Sequence, residues 1–167
     1  MNLIYTGNGK GKSSACVGQA IRAIGQGLRV AFLQFIKKEG VAGEQLVLYQ
    51  LLGERFRAGG RGFLRLEEDR PQHREAALSA LHWAFDALPH VDMLVLDEAL
   101  YALGAGILPS EELCALLDKA RRCDVHLVLS GRGLPAWLEK EADLITEMEE
   151  RKHPWQQGHT ATRGIEF

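Results

Sequence analysis

Apolar runs alternate with amphipathic stretches along the chain, and this alternation is typical of a parallel sheet with helices on both faces. The predicted strands are short apolar segments rich in branched residues, at 2–6, 29–35, 91–96, 125–129 and 144–148. Between them, apolar residues recur at helical spacing and predict helices over 12–24, 44–52, 72–88, 110–122 and 135–141. The Gly-rich segment 57–65 fits either a loop or a short strand.

Some of these elements carry local signals of their own. Gly25 and Gly27 predict the end of the first helix, and Ser110 predicts an N-cap at the start of a later one. The run 30–33 is apolar throughout, which indicates a strand buried on both faces. We expect 91–96 to be a central strand and 144–148 to be a last strand of the core.

The composition is that of an ordinary globular domain. The 167 residues are 46% hydrophobic and 25% charged, so we expect one domain spanning residues 1–167. The net charge of −2 and the lack of a membrane-length apolar run argue against nucleic-acid and membrane binding. Three scattered cysteines predict reduced thiols in a cytoplasmic protein, without a disulfide or zinc framework. The chain enters a strand almost at once, so we expect no secretory signal.

The segment Thr6-Gly7-Asn8-Gly9-Lys10-Gly11-Lys12-Ser13 is the strongest signal of chemistry. It follows an apolar strand and opens a helix, and in this setting loop N–H groups and a helix N-terminus bind phosphate. Lys12 would add a mobile positive charge, and the Ser13 hydroxyl would help to hold a phosphate-bound Mg²⁺. Thr6 stands where the usual motif has its first glycine, so Gly9 and Lys10 indicate a variant loop. The alternative is an ordinary Gly-rich turn between a strand and a helix.

Two further strand ends carry polar residues. The apolar residues 93–96 lead into Asp97 and Glu98, and a buried strand of this kind can bring its acids beside a phosphate-binding loop to bind Mg²⁺. Arg132, within Ser130-Gly131-Arg132-Gly133, follows the next predicted strand and would clamp a phosphate or leaving group. Each feature alone also fits a solvated strand end or loop. Together with the Gly-rich loop they predict a nucleotide site.

The order and spacing of several segments resemble the P-loop type of ATP:corrinoid adenosyltransferase, over essentially the whole chain. The similarity rests on 7–14, 22–30, Gln34-Phe35-Ile36-Lys37, Gly62-Phe63, Leu96-Asp97-Glu98, Ser130-Gly131-Arg132-Gly133, 142–148, Lys152-His153-Pro154 and Gly164-Ile165-Glu166-Phe167. The Gly-rich loop is more specific to that family than a generic P-loop. The resemblance implies a three-layer α/β, RecA-like P-loop NTPase fold with a mostly parallel central sheet.

The resemblance also implies an activity. A Co(I) corrinoid would attack the 5′ carbon of ATP and intact triphosphate would leave, in the biosynthesis or salvage of adenosylcobalamin. Such an alkyl transfer needs no general base. The implied substrates are ATP and a corrinoid, and the implied cofactor is Mg²⁺ or Mn²⁺. The implied partners are an electron donor, such as a reduced flavoprotein, and the second subunit of a homodimer.

Each role in this reaction maps onto positions of the sequence. The implied ATP-binding residues are Thr6, Gly7, Asn8, Gly9, Lys10, Gly11, Lys12, Ser13, Ser14, Glu44 and Arg132. Within that set, Glu44 would lie near the nucleoside. The implied metal ligands are Ser13, Asp97 and Glu98, and the implied catalytic residues are Lys12, Glu98 and Arg132. Phe63 would contact the corrinoid.

Two features depart from the family pattern. Family members usually carry an N-terminal extension that resembles a lid over the corrinoid site of the partner subunit. Met1 lies six residues before Gly7, so we expect no such lid. The family's Gly-Phe-Thr-Trp segment reads Gly62-Phe63-Leu64-Arg65, and an arginine cannot supply the same apolar wedge against the lower axial ligand of cobalt. One alternative is therefore a relative that binds or hydrolyses ATP without corrinoid chemistry, and another is a small-molecule kinase.

Overall fold

The computed structural model describes residues 1–158 and 160–165, so Glu166 and Phe167 of the C-terminal motif lie outside the described residues. The strands are β1 (Asn2–Thr6), β2 (Val30–Gln34), β3 (Phe56–Ala58), β4 (Met93–Asp97), β5 (His126–Ser130) and β6 (Leu144–Glu147). The helices are α1 (Lys12–Gly25), α2 (Gly43–Leu52), α3 (Arg70–Ala87), α4 (Ala99–Gly104), α5 (Ser110–Arg122) and α6 (Ala136–Glu139). No helix in this part of the chain is long and apolar enough to span a membrane.

The six strands form a parallel sheet in the order β3-β2-β4-β5-β1-β6. In this order β5 lies between β1, which precedes the Gly-rich loop, and β4, which ends at Asp97. Because every neighbouring pair is parallel, the carboxyl ends of all the strands meet at one edge. Ligands of open parallel sheets bind at that edge. Thr6, Asp97 and Ser130 therefore end three adjacent strands beside one another.

Alternate residues of the central strands face opposite sides of the sheet. Ala31 and Leu33 of β2 pack in a buried cluster with α3, α4 and α5. Val30 and Phe32 pack in a second buried cluster with α1 and α2. The run of apolar residues in β2 follows from this arrangement, because both faces of the strand are covered. The predicted three-layer α/β fold with helices on both faces is confirmed.

Two local predictions are wrong. Ser110 is not an N-cap: it is the first residue of α5, and the extended residue Pro109 (φ −61°, ψ 148°) occupies the cap without a side-chain hydrogen bond. The strand 144–148 is not part of the core. β6 ends at Glu147, and its four side chains are exposed because it forms the edge of the sheet beside β1.

The structure also resolves one ambiguity and adds one helix. The segment 57–65 contributes its start to the short strand β3 and continues as a loop. This loop lies against the end of β2, where the Gly62 N–H donates to the Ile36 carbonyl at 2.7 Å. The helix α4 follows Glu98 directly and was not predicted from the sequence, because its six residues are too few for a clear periodic pattern.

Candidate functional site

A cleft of about 990 Å³ opens at the carboxyl edge of the sheet. The lining residues that the sequence analysis had singled out are Asn8, Gly9, Lys10, Gly11, Lys12, Ser13, Ser14, Glu44, Phe63, Glu98 and Arg132. Thr6, Gly7 and Asp97 are buried beside this lining, at the ends of β1 and β4. The structure therefore brings the predicted site residues together from segments that are far apart in the sequence.

The Gly-rich loop packs against the segment that follows β6. The Gly9 N–H donates to the Met148 carbonyl at 2.7 Å, and the Met148 N–H donates to the Thr6 carbonyl at 2.9 Å. Gly7 has a φ of 96°, and a Cβ there would lie 2.4 Å from the Met148 carbonyl oxygen. Only glycine fits such a position without a shift of the backbone. The loop conformation is thus set by a contact with a distant part of the chain.

Lys12 is buried within the loop. Its Nζ donates to the carbonyl oxygens of Gly7 and Gly9, at 2.8 Å in both cases. An ammonium group has three donors, so one remains for a ligand in the cleft. Burial lowers the pKa of Lys12, while the negative charge of Glu98 acts in the opposite direction.

Asp97 is completely buried and lies at the centre of a hydrogen-bond network. Its Oδ1 accepts from the Ser13 hydroxyl at 2.9 Å and from the Ser130 hydroxyl at 2.7 Å. Its Oδ2 accepts from the Gln34 amide at 3.2 Å and lies 3.4 Å from Lys37 Nζ. A carboxylate is tolerated in the interior only with partners of this kind. The network joins the ends of β2, β4 and β5 to the start of α1.

Glu98 lies between β4 and α4 and is one of the residues that line the cleft. Its backbone is left-handed (φ 61°, ψ 23°), and its N–H donates to the Ser130 hydroxyl at 3.0 Å. Burial and then the charge of Asp97 raise the pKa of Glu98, against the opposing effect of nearby cations. Two adjacent carboxyl groups with little access to water favour a cation between or beside them.

Glu44 lies in the cleft as predicted, but it is paired with a residue that the sequence analysis did not assign to the site. The Lys37 Nζ lies 2.5 Å from Glu44 Oε1, and the Gln34 amide donates to the same oxygen at 3.1 Å. Burial acts to raise the pKa of Glu44, but the hydrogen bond and charge of Lys37 outweigh it, so the pKa is lowered. The signal for Lys37 and Gln34 was present in the sequence, since Gln34 is the polar last residue of β2 and Lys37 follows three positions later, at the ligand-binding end of the strand.

Arg132 and Phe63 are exposed residues that line the cleft. Arg132 Nη2 donates to the Asn8 carbonyl at 3.3 Å, which places the guanidinium beside the Gly-rich loop. Phe63 is 55% exposed and contacts Tyr101 edge-on. Arg65 is exposed and is not one of the described residues that line the cleft. Tyr101 was not singled out from the sequence, although it lies only three residues after Glu98.

The donor set at the end of β4 suits a hard metal ion. Among residues 1–158 and 160–165, no group of three or more His, Cys, Asp or Glu side chains could hold a metal by itself. Ser13, Asp97 and Glu98 offer one hydroxyl and two carboxylates. Mg²⁺ prefers oxygen ligands and is commonly held by one or two carboxylates together with phosphate oxygens of a substrate. These residues therefore fit an ion that arrives with a polyphosphate.

Comparison with known proteins agrees with this geometry. The family model described as "ATP:corrinoid adenosyltransferase BtuR/CobO/CobP" matches residues 1–167. A corrinoid adenosyltransferase of Pseudomonas aeruginosa is 36% identical over 168 residues, covering 99% of this chain and 82% of that protein. The corrinoid adenosyltransferase CobA of Salmonella typhimurium is 34% identical over 167 residues, covering 99% of this chain and 84% of that protein.

Solved structures of low sequence identity share the fold. The flagellar accessory protein FlaH of Methanocaldococcus jannaschii matches with a TM-score of 0.53 and 10% identity, over 87% of this chain and 69% of that one. A DNA replication initiation factor matches with a TM-score of 0.50 and 14% identity, over 89% of this chain and 40% of that one. These likenesses show the P-loop NTPase fold alone. By its full-length match and its close relatives, the chain belongs to the ATP:corrinoid adenosyltransferase BtuR/CobO/CobP family of transferases.

Proposed function

We propose that the protein transfers the 5′-deoxyadenosyl group of ATP to the Co(I) centre of a corrinoid and releases triphosphate, in the biosynthesis or salvage of adenosylcobalamin. The observation that carries this proposal is one cleft that holds the Gly-rich loop, Glu98 and Phe63 together. The loop and the acid suit a metal-bound triphosphate. The aromatic side chain at the entrance suits a large flat co-substrate.

In this reaction the protein has to position the two substrates and to stabilise the charge of the leaving group. The electron pair of Co(I) forms the new Co–C bond, the bond between C5′ and its oxygen breaks, and that electron pair leaves with triphosphate. Cobalt is formally oxidised from Co(I) to Co(III), and no proton moves. Catalysis then consists of aligning C5′ with cobalt and stabilising the charge of the leaving group. This agrees with the four cations that line the cleft, which are Lys10, Lys12, Lys37 and Arg132.

In this proposal the Gly-rich loop binds the triphosphate. The N–H groups of 8–13, apart from the Gly9 N–H that donates to Met148, hold the phosphates together with the Lys12 ammonium, since a buried cation with a spare donor binds an anion strongly. Lys10 and Arg132 add positive charge at the entrance, and Ser14 lies at the first turn of α1 beside them. Thr6 and Gly7 act beneath the loop, where they set its shape.

Ser13, Asp97 and Glu98 hold Mg²⁺ or Mn²⁺ in this proposal. A bound divalent ion supplies positive charge to the phosphate oxygens of the leaving group. Support comes from the 2.9 Å hydrogen bond between Ser13 and Asp97, and from burial, which raises the pKa of Glu98. Ser13 and Glu98 line the cleft, and Asp97 is buried beside them, so its share in holding the ion includes orienting the Ser13 hydroxyl.

The remaining partners belong to the same proposal. Glu44, held by Lys37, faces the nucleoside, and Phe63 contacts the corrinoid. An external electron donor, such as a reduced flavoprotein, supplies the electron that reduces the corrinoid to Co(I). We further propose a homodimer that works in the cytoplasm, where the three cysteines stay reduced.

An anaerobic assay tests the proposal directly. Purified protein is mixed with Mg-ATP and chemically reduced cob(I)alamin, and the products are separated by chromatography. We expect adenosylcobalamin and triphosphate in equal amounts. ADP and phosphate without adenosylcobalamin would instead indicate an ATP-hydrolysing relative, and ADP that forms only with an added acceptor would indicate a kinase. Repeating the assay with cobyrinic acid a,c-diamide separates an early biosynthetic substrate from complete cobalamin.

A further inference from the structure

Phe63 is held at the cleft entrance by Tyr101 of α4. The two rings meet edge-on, with centroids 4.9 Å apart and an interplanar angle of 83°. This is the favoured geometry of aromatic pairs. The hydroxyl of the same tyrosine accepts the backbone N–H of Leu64 at 3.1 Å. Tyr101 therefore contacts the loop at two points. Its ring packs against the Phe63 ring, and its hydroxyl accepts the backbone N–H of Leu64.

The loop that carries Phe63 is also held at its base and at Leu64, which is partly buried against the core, but these contacts do not touch the Phe63 ring. The Gly62 N–H donates to the Ile36 carbonyl at 2.7 Å, and a Cβ at Gly60 would lie 2.1 Å from the Ile36 backbone. On either side of Leu64, Phe63 and Leu66 are both 55% exposed. An exposed ring keeps one orientation only if a neighbour holds it.

Tyr101 is itself placed by the elements that place the acids. It lies on the first turn of α4, where the Ala102 N–H donates to the Glu98 carbonyl at 3.1 Å. Gly131 lies against this turn, because a Cβ there would be 2.8 Å from Leu100 Cβ and 2.9 Å from the Tyr101 nitrogen. Leu100 is fully buried in the core. The tyrosine therefore stands on a rigid support between the nucleotide residues and the Phe63 loop.

We propose that Tyr101 is a positioning residue for the corrinoid co-substrate, and that it acts by holding Phe63 in its orientation at the cleft entrance. The inference rests on the proposed function and adds a residue outside the Gly-Phe motif. Holding the ring in advance reduces the ordering that binding requires. The expected consequence is a specific effect on the corrinoid, with little effect on ATP, although the tyrosine is only three residues from Glu98.

The experiment compares Tyr101→Phe and Tyr101→Leu with the wild-type protein. Tyr101→Phe keeps the ring and loses the hydroxyl, whereas Tyr101→Leu loses both contacts. We expect the KM for cob(I)alamin to rise about tenfold in Tyr101→Leu and about threefold in Tyr101→Phe, in line with the usual strength of aromatic contacts. The KM for ATP should change by less than about twofold. Electron paramagnetic resonance of bound cob(II)alamin should show a smaller fraction without its lower axial ligand in the same order.

Two controls separate positioning from a general structural effect. Tyr49→Leu removes a similar tyrosine, which contacts Phe56 edge-on at 4.7 Å but lies outside the described cleft lining, and it should leave both KM values unchanged. In a Phe63→Ala background, Tyr101→Leu should add less than about twofold, because its partner ring is already gone. Thermal unfolding of each variant checks that the fold is intact.

The outcomes separate this inference from the proposed function. An active wild-type protein in which Tyr101→Leu raises both KM values equally overturns the inference alone. Full additivity of Tyr101→Leu and Phe63→Ala overturns it as well, since the two residues would then act independently. A wild-type protein that makes no adenosylcobalamin from cob(I)alamin overturns the proposed function, and the inference with it.

Discussion

The two sides of the cleft are built in opposite ways. On the phosphate side, Lys12 and Asp97 are buried, and Asp97 has hydrogen-bond partners from three other elements. On the entrance side, Phe63 is 55% exposed and Arg65 is exposed as well. The nucleotide side is thus fixed before any ligand binds, while the entrance side depends on a few contacts of one loop.

This difference matches the demands of the two substrates. A leaving triphosphate is stabilised best by donors that are already oriented, since no reorganisation is then needed during the reaction. A large flat corrinoid makes its contacts over a wide surface at the entrance, where the Phe63 loop is held by fewer contacts, chiefly those of Tyr101. Changes on the phosphate side should therefore have larger effects on transfer than changes at the entrance.

Lys12→Ala should have the largest effect. We expect kcat/KM for adenosyl transfer to fall by about 10²–10³-fold, because one oriented donor to the leaving group is lost. The fold should survive, since the two carbonyls of Gly7 and Gly9 that Lys12 contacts can accept from water instead. Transfer kinetics and thermal unfolding measure the two effects. Lys38→Ala, an exposed lysine at the same edge, is the control, and full activity in a folded Lys12→Ala protein would refute the assignment.

Asp97→Asn should destabilise the protein most. Asparagine keeps one acceptor oxygen, so its NH2 group would face either the two serine hydroxyls on Oδ1 or the Gln34 amide on Oδ2. Lys37 would also lose an opposing charge. We expect the free energy of unfolding to fall by about 3 kcal/mol. Urea unfolding without ATP measures this loss. Asp92→Asn breaks an exposed ion pair with Arg29 and should lose much less; equal losses in the two variants would contradict the network.

Glu98→Gln should stabilise the ligand-free protein while it impairs transfer. Burial raises the pKa of Glu98, so the folded state binds a proton more tightly than the unfolded state does. Stability from this group is present at low pH and is lost as pH rises through the raised pKa. At pH 7 the neutral amide should raise Tm by about 2–4 °C, roughly 1 kcal/mol for a chain of this size.

The pH dependence of this rise in Tm tests the role of Glu98 more directly than its value at pH 7. The difference in Tm between Glu98→Gln and the wild type should shrink as the pH is lowered, because the wild-type carboxyl group takes up its proton. Glu68→Gln, an exposed glutamate, should show no such trend. A difference that is constant between pH 4 and pH 8 would mean that Glu98 carries no burial cost.

Arg65→Trp should have the smallest effect and should act only at the entrance. A tryptophan there restores the aromatic residue of the family motif, and one aromatic contact is worth about threefold to tenfold. We expect turnover that starts from Co(II) to improve by about threefold, with less change from pre-reduced Co(I). Steady-state rates from both oxidation states test this, and Arg55→Trp is the control. Equal improvement from both states would exclude a part for this position in ligand displacement.

The phosphate side was also the more predictable from sequence. Lys12 and Ser13 belong to one contiguous motif, and Asp97 follows an apolar strand directly, so local patterns were enough to find them. Lys37 was part of a recognised segment but received no role, because its pairing with Glu44 depends on how the loop after β2 folds. Tyr101 was not predicted as a site residue, because a single tyrosine on a six-residue helix belongs to no sequence motif or periodic pattern.

The errors have the same origin as these omissions. The apolar residues of 144–148 predicted a core strand, yet β6 is at the sheet edge, and its place there depends on strand order and not on composition. Ser110 has the right chemistry for a cap, but Pro109 already occupies the cap position. Local propensity indicates what a segment can form, and tertiary contacts decide which of the options is realised.

The elements, the Gly-rich loop and the family were determined by the sequence itself, because periodicity, turn chemistry and motif spacing act over a few residues. The site was decided only by the tertiary structure. Ser13 meets Asp97 across 84 positions, and Arg132 meets Asn8 across 124. Such contacts exist because parallel strands bring their carboxyl ends to one edge, and the order of those strands, set by the packing of two buried layers, determines which ends are neighbours.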